Sequence, residues 1–316
     1  MTPAVQDNDK KPISGVFEDS SPLLGHQQAL KRRAKQDGFL FFRGLLEREE
    51  ILELRRSILS VLLKHELLSK SEALLEGVAD CAAVNRIPAE EIHANGVGVG
   101  FDIYEEVQKL EGFHALAQHP ALINLYETLF AKEVFPHPRN IARLMLPHPD
   151  KKPTPSHQDF LHIQGSTTTW SAWIPLGDVP RELGGLAVLR GSHEEGLLGV
   201  THNPGAGGLE SILCGMDYEW LSTDYQMGDV LTFHSHTVHK SLPSQSRDNV
   251  RLSCDFRYQP ADEPIEPASL LPHGPFEWRD LYRGWDRDDL QFYWKEQTFD
   301  LTEFDESIRW QKEKIC

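Results

Sequence analysis

The sequence predicts a mainly β protein with flanking helices, a sandwich or jelly roll buttressed on one side. Three observations carry that prediction. Helical spacing dominates the first part of the chain, where Ile51, Leu54, Ile58 and Leu62 recur on one face. Runs rich in apolar, β-branched and aromatic residues follow, broken by Gly, Pro and Asp turns. The 316 residues, 40% hydrophobic, are enough for one large core, and no Pro/Ser-rich linker or internal repeat divides them.

Residues 1–24 are polar with little periodicity and read as a flexible N-terminal tail. His26 to Asp37 reads as a basic helix closed by Gly38. Phe39 to Phe42 is a short buried strand. Glu47 to Leu68 is a long helix whose stripe is widened by Leu52, Leu59 and Leu63, with acidic residues at its start. Asn95-Gly96-Val97-Gly98-Val99-Gly100 has too many glycines for a strand interior. No strand-to-helix phosphate loop follows it, so residues 78–106 hold either an ordinary loop or a lid beside a pocket. Pro120 opens a helix through Phe130. Asn140–Leu146, Thr167–Leu176, Leu186–Leu189, Asp229–His239 and Asn249–Tyr258 read as strands. Residues 200–225, with Pro204-Gly205-Ala206-Gly207-Gly208, look like a surface insertion covering a pocket. Residues 263–316 hold Trp278, Tyr282, Trp285, Phe292, Tyr293, Trp294 and Trp310, expected as helical segments outside a core at about 135–262.

A formal net charge of −16 argues against nucleic acid and anionic membranes as main partners. Cys81, Cys214, Cys254 and Cys316 lack paired spacing and read as reduced thiols. No leader pattern and no long apolar run is present. The expectation is a cytoplasmic protein, monomer or homodimer, with a small-molecule substrate.

The chemistry centres on His157-Gln158-Asp159. Two side chains separated by one residue on extended backbone point to the same side. An imidazole and a carboxylate so placed can bind a divalent metal. A third ligand would complete the facial arrangement that suits non-haem Fe(II) with open positions. His239 is the candidate. His234 and His236 have the opposite parity along the same predicted strand and are set aside, and His193, in a Gly-Ser-His turn, reads as structural.

With Trp170-Ser171-Ala172-Trp173, Gly184-Gly185-Leu186 to Gly191-Ser192-His193, Gly228-Asp229 to His239 and Arg251-Leu252-Ser253, the chain resembles the phytanoyl-CoA dioxygenase-like family. These are Fe(II)- and 2-oxoglutarate-dependent oxygenases. The motifs span about residues 140–260. The resemblance implies a double-stranded β-helix, cupin-like, with the metal inside its mouth, over a single oxygenase domain at 25–316. It also implies Fe(II), 2-oxoglutarate and O2 as cofactor and cosubstrates, and matches Gln158, Trp173 and Ser241 to positions around 2-oxoglutarate. Arg143 matches a further cosubstrate-lining position.

Arg251 lies in an apolar strand, where a guanidinium fork can grip the distal carboxylate bidentately. Ser253 shares its side. Arg257 is the alternative anchor. Phe160, His162 and Arg257 are expected at the substrate pocket.

The expected function is oxidation, by hydroxylation, of a C–H bond of a small organic metabolite, with release of succinate and CO2. The alternatives are a cupin-like metal-binding protein without turnover, a metal-dependent hydrolase or isomerase, and an acyl-CoA hydroxylase. Residues 95–106 and 200–225 contain no Lys or Arg but several acids. On that ground the expected substrate is neutral or cationic, not a CoA ester.

Overall fold

The computed structural model describes residues 11–93, 96–213 and 216–310. Helix α1 (Gln27–Asp37) ends where Gly38 takes a left-handed φ of 76° and returns its N–H to Ala34. Strand β1 (Phe39–Phe42) follows directly. Helix α2 (Arg48–Lys64) stops short of the expected Leu68 because Glu66 turns to φ 59°. Leu67 and Leu68 are then buried separately. Two short helices, α3 (Cys81–Val84) and α4 (Ala89–His93), precede α5 (Phe101–Gln108) and α6 (Glu111–Ala117). Helix α7 (Pro120–Phe130) starts at its proline, and the His119 ring caps it by accepting from the Ala121 N–H.

The strands are β2 (Val134–Pro136), β3 (Ile141–Met145), β4 (Trp170–Pro175), β5 (Leu186–Leu189), β6 (Val200–His202), β7 (Leu209–Ser211), β8 (Trp220–Leu221), β9 (Val230–His234), β10 (His239–Ser241) and β11 (Arg251–Pro260). A large antiparallel sheet has the order β1-β9-β4-β11-β2, with β3 also on β11; a small one has the order β10-β5-β8. Phe39, Phe41, Trp173, Leu231 and Phe233 of the large sheet meet Leu186, Val188 and Leu221 of the small one between the layers. The opposite face of the large sheet carries Leu40, Phe42, Ala172, Ile174, Leu252, Cys254, Phe256 and Tyr258 against the helices. That is the jelly-roll sandwich with its helical buttress.

Four expectations change. The segment read as a flexible tail packs from about residue 13, because Phe17 buries its ring against Phe39, Phe41 and Tyr225. Ser14 N–H donates to Trp220 O at 2.9 Å and Ser20 N–H to Phe41 O at 2.7 Å. Residues 1–10, Cys214 and Cys316 lie outside the described residues. The single strand expected over Asp229–His239 is two strands in different sheets, joined by a turn in which Thr237 N–H donates to His234 O.

The glycine-rich stretch is a loop, yet Val97 and Val99 are fully buried and Val97 O accepts from Leu144 N–H. A Cβ on Gly98, at φ 93°, would strike the Leu144 carbonyl. Residues 101–106 belong to α5 and not to a loop. The C-terminal aromatic segment has one four-residue helix, α8 (Trp278–Leu281), and otherwise 3-10 turns. Pro264, Pro267, Pro272, Gly274, Pro275 and Gly284 break longer helices. Its rings other than Trp310 still pack outward of the core, around Phe135 and Ile265; Trp310 lies exposed against His202.

Candidate metal and cosubstrate site

β11 explains how the site is built. Its even-numbered residues face the helices, so Arg251, Ser253, Asp255, Arg257 and Gln259 face the interior of the sandwich. Its neighbour β4 places Ser171 opposite Arg257 and Trp173 opposite Asp255. Across from these strands, His157 and His239 form a two-residue antiparallel bridge that extends the small sheet, each N–H donating to the other's carbonyl at 3.0 Å. The bridge brings both rings to the same place, with centroids 4.2 Å apart.

Asp159 completes the cluster. Its Oδ1 lies 3.6 Å from His157 Nε2 and 3.7 Å from His239 Nε2. One ligand atom from each of the three residues lies within 4.8 Å of the others. His157 Nδ1 is 2.8 Å from Pro155 O and His239 Nδ1 is 3.1 Å from Thr237 O. Nδ1–H therefore donates to a backbone carbonyl in each ring, and each Nε2 keeps its lone pair for a metal.

Burial and the neighbouring His157 push His239 down to about 3, which keeps it neutral. Burial would raise Asp159, but His157, His239 and Arg257 hold its carboxyl well below the ordinary range. Ser171 Oγ donates to Asp159 Oδ2, leaving Oδ1 toward the histidines. Two imidazoles and one carboxylate on one side of a cavity fit Fe(II); the thiolates that structural zinc prefers are absent among the described residues here.

The cleft beside the cluster is lined by Arg143, Met145, Trp173, Phe233, Ser241, Arg251, Asp255 and Arg257, among others. At the far end of the β11 face, Arg251 packs over the Trp173 ring at 5.8 Å. Its Nη1 donates to Ser253 Oγ at 3.1 Å. Burial lowers Arg251 to about 10, so it stays charged near neutrality. Arg143 donates from Nε to Asp255 Oδ2 at 2.7 Å and from Nη1 to Gly96 O at 2.8 Å.

The cleft thus gathers Arg251, Trp173, Ser241, Arg143 and Arg257 with the three candidate ligands. Ser253 supports Arg251 from beside it. Gln158 is not brought in. It points away, as alternation on an extended strand requires, and its amide ties Gly196 O, His236 O and Leu198 N–H together. Phe160 also turns aside, edge-on to His236. His162 stands on the hairpin side, its ring 5.8 Å from that of His157, under Gly207. His193 is structural as expected, its Nε2 donating to Lys35 O.

His234 and His236 stay off the cluster, though the reason is the turn after β9 and not parity along one strand. Sequence reasoning missed Ser171 and Asp255. Both share the parity of residues it chose, Trp173 on β4 and Arg251 on β11, and that was the available signal.

A family model described as Phytanoyl-CoA dioxygenase (PhyH) matches residues 34–252. The 1-deoxypentalenic acid 11-beta-hydroxylase of Streptomyces arenae is 30% identical over 274 residues, covering 81% of this chain and 89% of its own. The enzyme of the same name from Streptomyces exfoliatus is 28% identical over the same shares. The crystal structure of the epimerase SnoN in complex with Fe3+, alpha ketoglutarate and nogalamycin RO superposes with a TM-score of 0.52 at 21% identity, covering 89% of this chain and 97% of that one. The fold and the site define a non-haem iron, 2-oxoglutarate-dependent oxygenase. The chain belongs to the phytanoyl-CoA dioxygenase family.

Proposed function

We propose that this chain hydroxylates a C–H bond of a small organic metabolite, with 2-oxoglutarate converted to succinate and CO2. One observation carries the reading: a buried, charged arginine closes the same cleft that the His157–Asp159–His239 cluster opens. A metal-binding protein without turnover, or a hydrolase, has no use for a fixed carboxylate anchor at that place.

His157, Asp159 and His239 would hold Fe(II). Arg251, with Ser253 behind it, would hold the distal carboxylate of 2-oxoglutarate beside Trp173 and Ser241. When bound, iron and 2-oxoglutarate supply the oxidant for an unactivated C–H bond; the protein orients both. Ser171 fixes the Asp159 carboxylate, and the apolar Phe233 and Trp173 exclude water around it.

The reading takes residues 25–316 as one oxygenase domain, in a cytoplasmic monomer or homodimer. Cys81 and Cys254 are free thiols, and no helix among the described residues is long and apolar enough to cross a membrane. The test is anaerobic titration of the Fe(II) protein with 2-oxoglutarate. A weak visible charge-transfer band is expected, followed in air by succinate formation coupled to a hydroxylated product. Absence of the band would overturn the reading, and chlorinated product in chloride buffer would contradict the role of Asp159.

A further inference from the structure

Arg257 is the one group in the cleft without an internal explanation. It is 5% exposed, yet its Nε and Nη1 have no hydrogen-bond partner. A buried guanidinium normally has its donors filled, because an unmet donor carries the full cost of leaving water. The nearest acid is Asp159, whose Oδ2 is 3.9 Å from Arg257 Nε, beyond hydrogen-bond length and already taken by Ser171.

The charges lining the cleft point the same way. Arg143, Arg251 and Arg257 face Asp159 and Asp255. Arg143 is matched by Asp255 at 2.7 Å. In the reading proposed above, a divalent metal and dianionic 2-oxoglutarate cancel each other, and Asp159 offsets one of the two remaining arginines. One positive charge is left over. Arg257 and Arg251 lie six residues apart on one face of β11, a backbone separation of roughly 20 Å at about 3.3 Å per residue. One ligand carboxylate on Arg251 leaves Arg257 free at the metal end.

We propose that Arg257 is the recognition residue for a carboxylate of the substrate, which is therefore an organic acid. This rests on the oxygenase reading and extends it to substrate class. It reverses the expectation of a neutral or cationic substrate, which was based on acids that the structure directs elsewhere. Glu106 pairs with Lys64 and His65, Glu105 with Lys109, Asp217 with Lys11, and Glu210 accepts from Asn203. None of them lines the cleft.

The test uses the anaerobic Fe(II)–2-oxoglutarate protein and its visible band. Polycyclic and aliphatic monocarboxylic acids, 1-deoxypentalenic acid among them, are titrated, each beside its methyl ester. The band shift gives Kd without turnover. At least one acid should bind about 10- to 100-fold more tightly than its ester. Arg257→Gln should abolish that preference and Arg257→Lys should keep part of it. Neither should move the Kd of 2-oxoglutarate more than about threefold, a range well inside one hydrogen bond to a charged group. Thermal melts establish that both variants fold.

Equal binding of every acid and its ester would overturn the proposal, as would a loss of 2-oxoglutarate affinity in Arg257→Gln matching the loss for the acid. Failure of the underlying reading looks different, since the native protein would then show no band. In that case the same acid and ester pairs are titrated into the metal-free protein and followed by intrinsic tryptophan fluorescence, and an Arg257-dependent preference for the acid again decides.

Discussion

The two faces of β11 are both largely buried and do opposite work. Toward the helices, Leu252, Cys254, Phe256 and Tyr258 are between 0% and 1% exposed. Toward the interior, Arg251, Ser253, Arg257 and Gln259 are between 0% and 5% exposed. Burial therefore cannot tell core from site here. What differs is how the buried atoms are satisfied. The apolar face is filled by its neighbours, with Phe113 against Phe256 at 5.8 Å and Tyr126 stacked on Tyr258 at 4.0 Å. The polar face has donors left over, and these are the ones a ligand can meet.

The sharpest test lies at the metal cluster, beside Arg257 on that strand. His157→Ala, Asp159→Ala or His239→Ala should each abolish Fe(II) binding and turnover while the melting temperature of the metal-free protein stays close to native. Full 2-oxoglutarate turnover by His239→Ala would remove it from the cluster.

A pair of substitutions then sets one face against the other. Phe256→Ala should destabilise the fold by about 3–5 kcal/mol in urea unfolding, with 2-oxoglutarate affinity of the folded fraction near native. Arg251→Ala should do the reverse. Losing one side of a buried charge pair costs about 2–5 kcal/mol, seen as a 2-oxoglutarate Kd raised by roughly two orders of magnitude or more. If Arg257→Ala gives that result in its place, the anchor is the other arginine.

Ser171→Ala probes the support of Asp159. Fe(II) affinity should fall about 10- to 100-fold in a competition titration, with little change in stability. An effect confined to acid pH belongs to the helix side, where His114 packs on Phe113 and is driven down to about 4 by burial. Its unfolded value is about 6.5, so between those values the unfolded chain binds a proton that the folded chain refuses. Stability must then rise with pH across that window and fall on acidification by about 1.4 kcal/mol per pH unit for this one group. His114→Gln should remove that increment from the pH dependence of urea unfolding, leaving 2-oxoglutarate binding unchanged. An unaltered slope would refute it.

Much of this was legible from residue order alone. Alternation fixed the inward face of β11, and Gly38 and Pro120 marked helix ends to within a residue. His157, Asp159 and His239 were readable because their chemistry is specific and their neighbours apolar. The rest needed three dimensions. Gln158 matched a family position, yet alternation between His157 and Asp159 already turned it away. Phe17 sits alone in polar sequence, and its burial depends on Phe39, Phe41 and Tyr225 arriving from elsewhere. That Arg143 meets Asp255 while Arg257 keeps two donors unfilled depends on register between strands far apart in the chain.

The β6–β7 hairpin carries one more consequence. Its tip sets Gly207 against His162 and Ala206 against Gly96, so two stretches distant in sequence meet beside Arg143. Neither stretch contributes a residue to the His157–Asp159–His239 cluster or to β11. The hairpin and the facing loop can therefore change without touching the residues proposed to hold the metal, the cosubstrate and, at Arg257, the substrate carboxylate. A duplicated copy of this gene could rewrite both stretches and keep its oxidation machinery intact throughout.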